Sequence, residues 1–301
     1  MKGSKVVLII AGILMTAGLC LTIIGCVMGG GRKVVQWTLN GDLAFGPFDL
    51  GDLRINVADI EWAEDQEKYS GSVDKTKLSG AENIQNMEIE VGGAVVRMEP
   101  SMDGEFYFGS ERASKYQCYV RGETLYLKSE GEFRIGRGSS EIVLYVPQDA
   151  AYQDILIELG AGTVELEGTV QAKSLHVEVG AGEMNADVVD VDMLEIKVGA
   201  GAVQLDDVQA QSAELEVGMG QLIFEGNVVG NMSAECSMGS MEFTIKSSEE
   251  AHNYDLSCAM GSIEVGGNAY SGMAKEQYIN NGAKSVYELE CSMGEILVEF
   301  R

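Results

Sequence analysis

One unit recurs seven times in the second half of this chain, and no other feature limits the fold as sharply. Equivalent glycines stand at Gly162, Gly182, Gly201, Gly220, Gly239, Gly261 and Gly294, at spacings of 20, 19, 19, 19, 22 and 33 residues. Around them the sequence reads ILIELGAGTVEL, LHVEVGAGEMNA, LEIKVGAGAVQL, AELEVGMGQLIF, MSAECSMGSMEF, YDLSCAMGSIEV and YELECSMGEILV. A unit of this length cannot bury an apolar face by itself, so the copies must stack and share one continuous core.

The columns of the repeat show which side chains point inward. Three residues before the glycine stand Leu159, Val179, Val198, Val217, Cys236, Cys258 and Cys291; five before stand Ile157, Val177, Ile196, Leu215, Ala234, Leu256 and Leu289. Beyond the glycine the even offsets are apolar, with Val164, Met184, Val203, Leu222, Met241, Ile263 and Ile296 at plus two. An unbroken strand cannot change phase, because its side chains alternate between faces. Each glycine therefore marks a corner between two short strands that face one interior, through a positive φ or a close backbone approach. The G-A-G triplets do not form a phosphate loop. After Gly199 and Gly201, a dinucleotide fingerprint needs a third glycine where Gln204 stands, and the flanks alternate as strands.

The expected fold class is all-β, a right-handed parallel β-helix or β-solenoid with coils of about 19 residues. Regular repeats cover 155–301 within a solenoid domain spanning 84–301. Over 84–150 the coils are less regular, as in NMEIEVGGAVVRM around Gly92-Gly93. Residues 266–285 are expected to leave the stack as a surface loop or short helix. Residues 34–83, with Trp37 and Trp62, form a linker or a cap over the first coil, whose open edge would otherwise expose unpaired strands.

Residues 1–33 read as a membrane anchor. From Val6 to Met28 there is no charge over 23 residues, with Lys2 and Lys5 on one side and Arg32 and Lys33 on the other. At about 1.5 Å per residue this run crosses a hydrocarbon core of roughly 30 Å. It is longer than the apolar region of a cleaved secretory signal. Ile23-Ile24-Gly25-Cys26 approximates a lipobox, which makes lipidation at Cys26 the alternative anchor. The flanking charges are balanced, so orientation rests on the rest of the chain: five residues precede the helix and everything foldable follows it, which places the C-terminal domain outside the cytoplasm as a single-pass protein. Those 33 residues hold four of the 21 basic residues and no acid, leaving 17 basic against 47 acidic in the remainder. A surface of that charge repels phosphate backbones, which excludes nucleic acid as a partner.

Three columns invite a chemical reading and are given a structural one. Cys236, Cys258 and Cys291 share an inward position and are read as small buried hydrophobes, since the closely spaced pairs of zinc sites are missing. Met219, Met238, Met260 and Met293 continue a column begun by Ala161, Ala181 and Ala200; copper binding is weighed against core filling, and core filling is preferred because no histidine column accompanies them. Asp187, Asp190, Asp192, Asp206 and Asp207, with Glu158, Glu178, Glu216 and Glu235 on outward positions, lack the nine-residue motif of calcium-binding repeats. His176 points outward between Leu175 and Val177, and neither it nor His252 belongs to a recognisable nucleophile constellation. No catalytic, cofactor-binding or metal-ligating residue and no cofactor is assigned, and the chain is not read as an enzyme.

The N-terminal apolar helix ending in Gly29-Gly30-Gly31, the run EIVLYVPQDAAYQDILIELGAGTVEL and the G-x-G ladder after it resemble the bacterial putative adhesin family, a domain of unknown function. The resemblance covers roughly residues 84–301 and implies a membrane-tethered β-solenoid with no catalytic residues to carry over. The functional expectation is a cell-surface binding, adhesin-like or scaffold module. Its expected partners are the membrane, a cell-wall or host polymer or protein, and further copies of itself through the solenoid ends. An envelope sensor signalling to a membrane or cytoplasmic partner is the alternative, and a polysaccharide-acting β-helix enzyme is the third reading.

Overall fold

The structure is a computed structural model that describes residues 60–130, 140–271 and 275–301. The membrane segment 6–28, Cys26 and Trp37 lie outside the described residues. Among those described no helix is long and apolar enough to cross a membrane, and the one helical element is a short 3-10 turn at Glu249–Ala251.

Each G-x-G corner joins two strands that pair in parallel, and in register, with the strands of the layers above and below. The middle of the stack is built by four long segments running from one layer into the next: β7 (Ala151–Leu159), β8 (Thr163–Val179), β9 (Glu183–Val198) and β10 (Ala202–Val217). Thr163 to Val179 pairs residue for residue with Glu183 to Val198 apart from one shift near Leu166. Glu183 to Val198 pairs likewise with Ala202 to Val217. β10 then pairs with β11 (Gln221–Val228) and β12 (Met232–Cys236), and β11 with β13 (Ser240–Ile245). Every inward column of the repeat is buried, with Ile157, Val177, Ile196, Leu215, Ala234, Leu289 and Leu256 each at most 1% exposed. Burying one such aliphatic side chain contributes about 1.5–3 kcal/mol, so the alternation itself supplies the drive to stack.

The ladder glycines achieve their corner by close approach alone. None has a left-handed φ. A Cβ on Gly201 would lie under 3 Å from the carbonyl of Gly182 and 2.7 Å from Val179 Cγ1; on Gly220 it would meet the carbonyl of Gly201 and Val198 Cγ1 in the same way. The layers touch backbone to backbone here, and the amide ladder continues through the corner, Ala181 N to Gly160 O and Ala200 N to Gly180 O both at 2.7 Å.

At both ends the stack departs from sequence order, which corrects the expectation of successive coils. β18 (Val286–Cys291) and β19 (Glu295–Phe300) do not cap the rod. They insert between the layer of β12 and β13 and the layer of β14 (Asn253–Cys258) and β15 (Ser262–Val265). At the other end, β2 (Asn86–Val91) and β3 (Val95–Ser101) lie between β5 (Thr124–Ser129) with β6 (Glu141–Pro147) and β7 with β8. Within 266–285 the described residues form two strands where a loop or helix is expected: β16 (Asn268–Ser271) and β17 (Lys275–Ile279) run antiparallel along β15 and β14 and cover the terminal edge. The opposite edge is covered by β4 (Tyr107–Arg121), antiparallel to β5 and β6, and by β1 (Tyr69–Lys77) outside it. Antiparallel strands at each end hold edges that would otherwise template aggregation. Gln117, fully buried, fastens the segment before β1 through both amide atoms to Ala63 N and O and to Gln66 O at 2.8–3.0 Å.

Candidate functional site: the corner groove and its acidic flank

Along the G-x-G corner runs an open groove of about 560 Å³, floored by Gly162, Gly182 and Gly201 and edged by Ala161, Ala181 and Ala200. Its edge is continued by methionine. The amides of Met219, Met238, Met293 and Met260 bond in turn to Gly199, Gly218, Ser237 and Ser292 at 2.7–2.8 Å, so the four stand in consecutive layers although Met293 follows Met260 in the chain. They do not fill the core: Met238 is 41% and Met260 65% exposed, and Met219 and Met293 are half-buried. The core reading fails because the corner occupies three residues between strands, and its middle residue points away from the interior that the residue two before it enters. Cys236, Cys291 and Cys258 are those inward residues, each 2% exposed and none in a disulfide. The thiols of Cys236 and Cys291 share a hydrogen bond that draws Cys236 down and, with burial, pushes Cys291 up.

On the strand before the corner the outward side chains are mostly acidic. Glu158, Glu178, Glu216, Glu235 and Glu290 occupy one column in the stack, and Lys197 is its one cation between Glu178 and Glu216. Partial burial and then the neighbouring Glu90 and Glu178 raise the pKa of Glu158; burial and then Glu290, Glu216 and Glu214 raise that of Glu235. Two cations relieve the N-terminal end. Lys128, mostly buried, reaches Glu90 at 2.5 Å and Glu88 at 3.5 Å, while Arg97 reaches Glu141 at 2.9 Å, Glu165 at 2.7 Å and Glu167 at 3.5 Å.

The histidines and aspartates do not converge. His176 faces outward as expected, with Nδ1 2.9 Å from Glu195, which also receives Lys197 at 2.8 Å. Asp187 accepts the Gly168 amide at 2.9 Å, Asp206 accepts Gln204 at 2.8 Å and Asp207 accepts Lys246 at 3.2 Å. His252 is buried, with Nδ1 2.8 Å from Ser285 Oγ and Nε2 3.2 Å from Ser247 Oγ, and its ring stacks at 4.0 Å on Tyr287. Serine hydroxyls on both ring nitrogens leave no carboxylate to orient it as a base. It serves instead to lock the inserted layer, together with Tyr287 donating to Val228 O at 2.7 Å and the amide of Val286 donating to Asn231 Oδ1 at 3.0 Å. Among the described residues no three His, Cys, Asp or Glu side chains form a metal cluster.

Fold and surface together define a capped, all-β stack of coils that presents long parallel ladders of side chains on its outside. The chain belongs to the Toastrack DUF4097 family, whose model matches residues 84–283. Among solved structures, the chain is similar to a putative adhesin from Bacteroides fragilis, at 11% identity and TM-score 0.40, over 79% of this chain and 99% of that one. A putative lipid binding protein from Parabacteroides distasonis aligns at 15% identity and TM-score 0.41, over 80% and 97%. A putative adhesin from Parabacteroides merdae aligns at 11% and 0.37, over 80% and 98%. No curated protein matches the chain.

Proposed function

We propose that this chain is a membrane-anchored, extracytoplasmic binding or scaffold module. In this reading the solenoid, right-handed as parallel crossovers almost always are, stands outside the membrane on the helix expected over 6–28 and engages a cell-wall or host polymer or protein. One observation carries the proposal: the stack offers columns of like side chains repeated once per layer, at about 4.8 Å, along an open groove that suits a long ligand engaged at many weak points. Membership of a family with putative adhesins among its structural relatives agrees with this reading. A non-enzymatic role fits a surface on which the described histidines and cysteines are engaged in packing and local pairs and the outward acids are spread along a ladder.

The test is protease digestion of intact cells bearing the full chain, with a lipid-label assay on native protein and on Cys26→Ala. Loss of the acidic domain from intact cells is expected; protection until lysis refutes the extracytoplasmic placement. Label incorporated by the native chain and absent from Cys26→Ala would replace the spanning helix by a lipid anchor.

A further inference from the structure

Three repeats carry the same tetrapeptide pattern, Cys-x-Met-Gly: Cys236-Ser237-Met238-Gly239, Cys258-Ala259-Met260-Gly261 and Cys291-Ser292-Met293-Gly294. In sequence they are 22 and 33 residues apart, and the repeat columns put them in one position of the coil without saying which layers touch. The rearranged C-terminal end brings them into three adjacent layers, Cys236 paired with Cys291 and Cys291 with Cys258. Their methionines form the outward ladder described above, with Met219 one layer before. Isolated surface methionines need no explanation, but here four large apolar side chains stand outside the core in one column on a strongly acidic domain, Met238 and Met260 exposed and Met219 and Met293 half-buried, where alanine serves the same corner at Ala161, Ala181 and Ala200.

From this ladder we infer a binding site for a soft monovalent metal ion, Cu(I) or Ag(I), held between the thioethers of Met238, Met293 and Met260. Thioether and thiolate sulfur select such ions over harder ones. The spacing suits the coordination: parallel layers lie about 4.8 Å apart, and two metal–sulfur bonds of about 2.3 Å, the length found for zinc thiolates, bridge nearly that distance. An ion between Met238 and Met293, or between Met293 and Met260, thus needs only a rotamer change of flexible side chains. Glu235 and Glu290 on the strand leading into this corner, and Glu295 just past Gly294, surround the ladder with negative charge that favours a cation without competing for a soft one. The site is independent of the surface-binding reading.

The experiment is anaerobic titration of the full chain in detergent with Cu(I) against a competing chromogenic chelator, repeated with Ag(I) as a redox-inert equivalent and with Zn(II) as a borderline divalent control that prefers thiolate, imidazole and carboxylate to thioether. The variants are M238L/M293L/M260L, a volume-conserving change at positions outside the core, and C236A/C291A, which removes the hydrogen-bonded thiols. We expect the native chain and C236A/C291A to bind Cu(I) and Ag(I) and to ignore Zn(II), and the leucine variant to bind about tenfold or more weakly, at least the loss that follows removal of an outer-shell partner. Unchanged binding in the leucine variant overturns the assignment, as does a native chain that binds neither ion. Binding lost in C236A/C291A but kept in the leucine variant also overturns it, because the metal would then sit on the buried thiols. Circular dichroism of each variant confirms that it retains the β-fold, so that loss of binding is not loss of structure.

Discussion

Alanine at Gly201 should destabilise the protein because of what lies beneath it. The backbone there avoids the left-handed region, so alanine meets no conformational penalty. By its effect on the unfolded chain it should even stabilise by about 0.4–1 kcal/mol. Against that, the new methyl would lie under 3 Å from the Gly182 carbonyl and 2.7 Å from Val179 Cγ1. Overpacking of this kind costs about 1–3 kcal/mol, and since one of the two neighbours is backbone in the next layer, little can yield. The net expectation is a loss of roughly 1–2 kcal/mol. Gly104 supplies the opposite case: its φ is +76° and nothing lies within 4 Å of an added Cβ. There alanine costs about 1–2 kcal/mol for conformation, and asparagine, which tolerates that conformation, should recover part of it. At Gly201 asparagine should be worse than alanine. Urea unfolding of the full chain in detergent, followed by far-ultraviolet circular dichroism, measures all four variants. A Gly201→Ala midpoint equal to the native one, or recovery by Gly201→Asn, would refute the close-approach account of the corner.

Three further outcomes follow from buried or crowded charge. Burial holds the pKa of His252 below its ordinary value, so the unfolded chain binds its proton first. Stability should fall as pH drops through about 6.5 and level off below the folded-state value, and His252→Gln should remove that slope from thermal melts. Lys128→Met strands Glu88 and Glu90; breaking fully buried pairs costs about 3–5 kcal/mol, and these partly exposed carboxylates should cost about 2 kcal/mol in urea midpoints, with K128M/E88Q/E90Q largely restored. The pKa of Glu235 is raised by burial and by Glu290, Glu216 and Glu214, so its ionisation opposes folding as pH rises above the ordinary carboxylate range, and Glu235→Gln should melt higher at pH 7 but not at pH 4.

The middle of the stack was legible because identity of pattern and adjacency in space coincide there. Leu159, Val179, Val198 and Val217 follow one another in both sequence and structure. At the ends the two separate, since any copy with the right alternation satisfies any parallel neighbour, and nothing in YELECSMGEILV says that it pairs with MSAECSMGSMEF on one side and YDLSCAMGSIEV on the other. The signal that could have shown it was the 33-residue spacing, long enough for the antiparallel return of β16 and β17. The lack of a histidine column favours the core for the methionines, but sequence does not show which way the middle residue of a three-residue corner points, and the corner turns it outward. Gln117 and His252 fasten segments by contacts across 54 and 33 residues, and no local pattern announces such partners.

The interleaved order at the C-terminal end also governs how the protein can be made. When residues 232–265 have left the ribosome, both flanking layers exist in the chain but their shared partner, residues 286–300, does not. Until it arrives, β12 and β13 on one side and β14 and β15 on the other present ready parallel edges to a slot one strand thick. Any copy of 286–300 completes that slot, its own or a neighbour's. Slow or truncated synthesis would therefore favour exchange of this segment between chains, and the 20 residues between Val265 and Val286, which carry the covering strands β16 and β17, form the tether that makes the intramolecular choice faster.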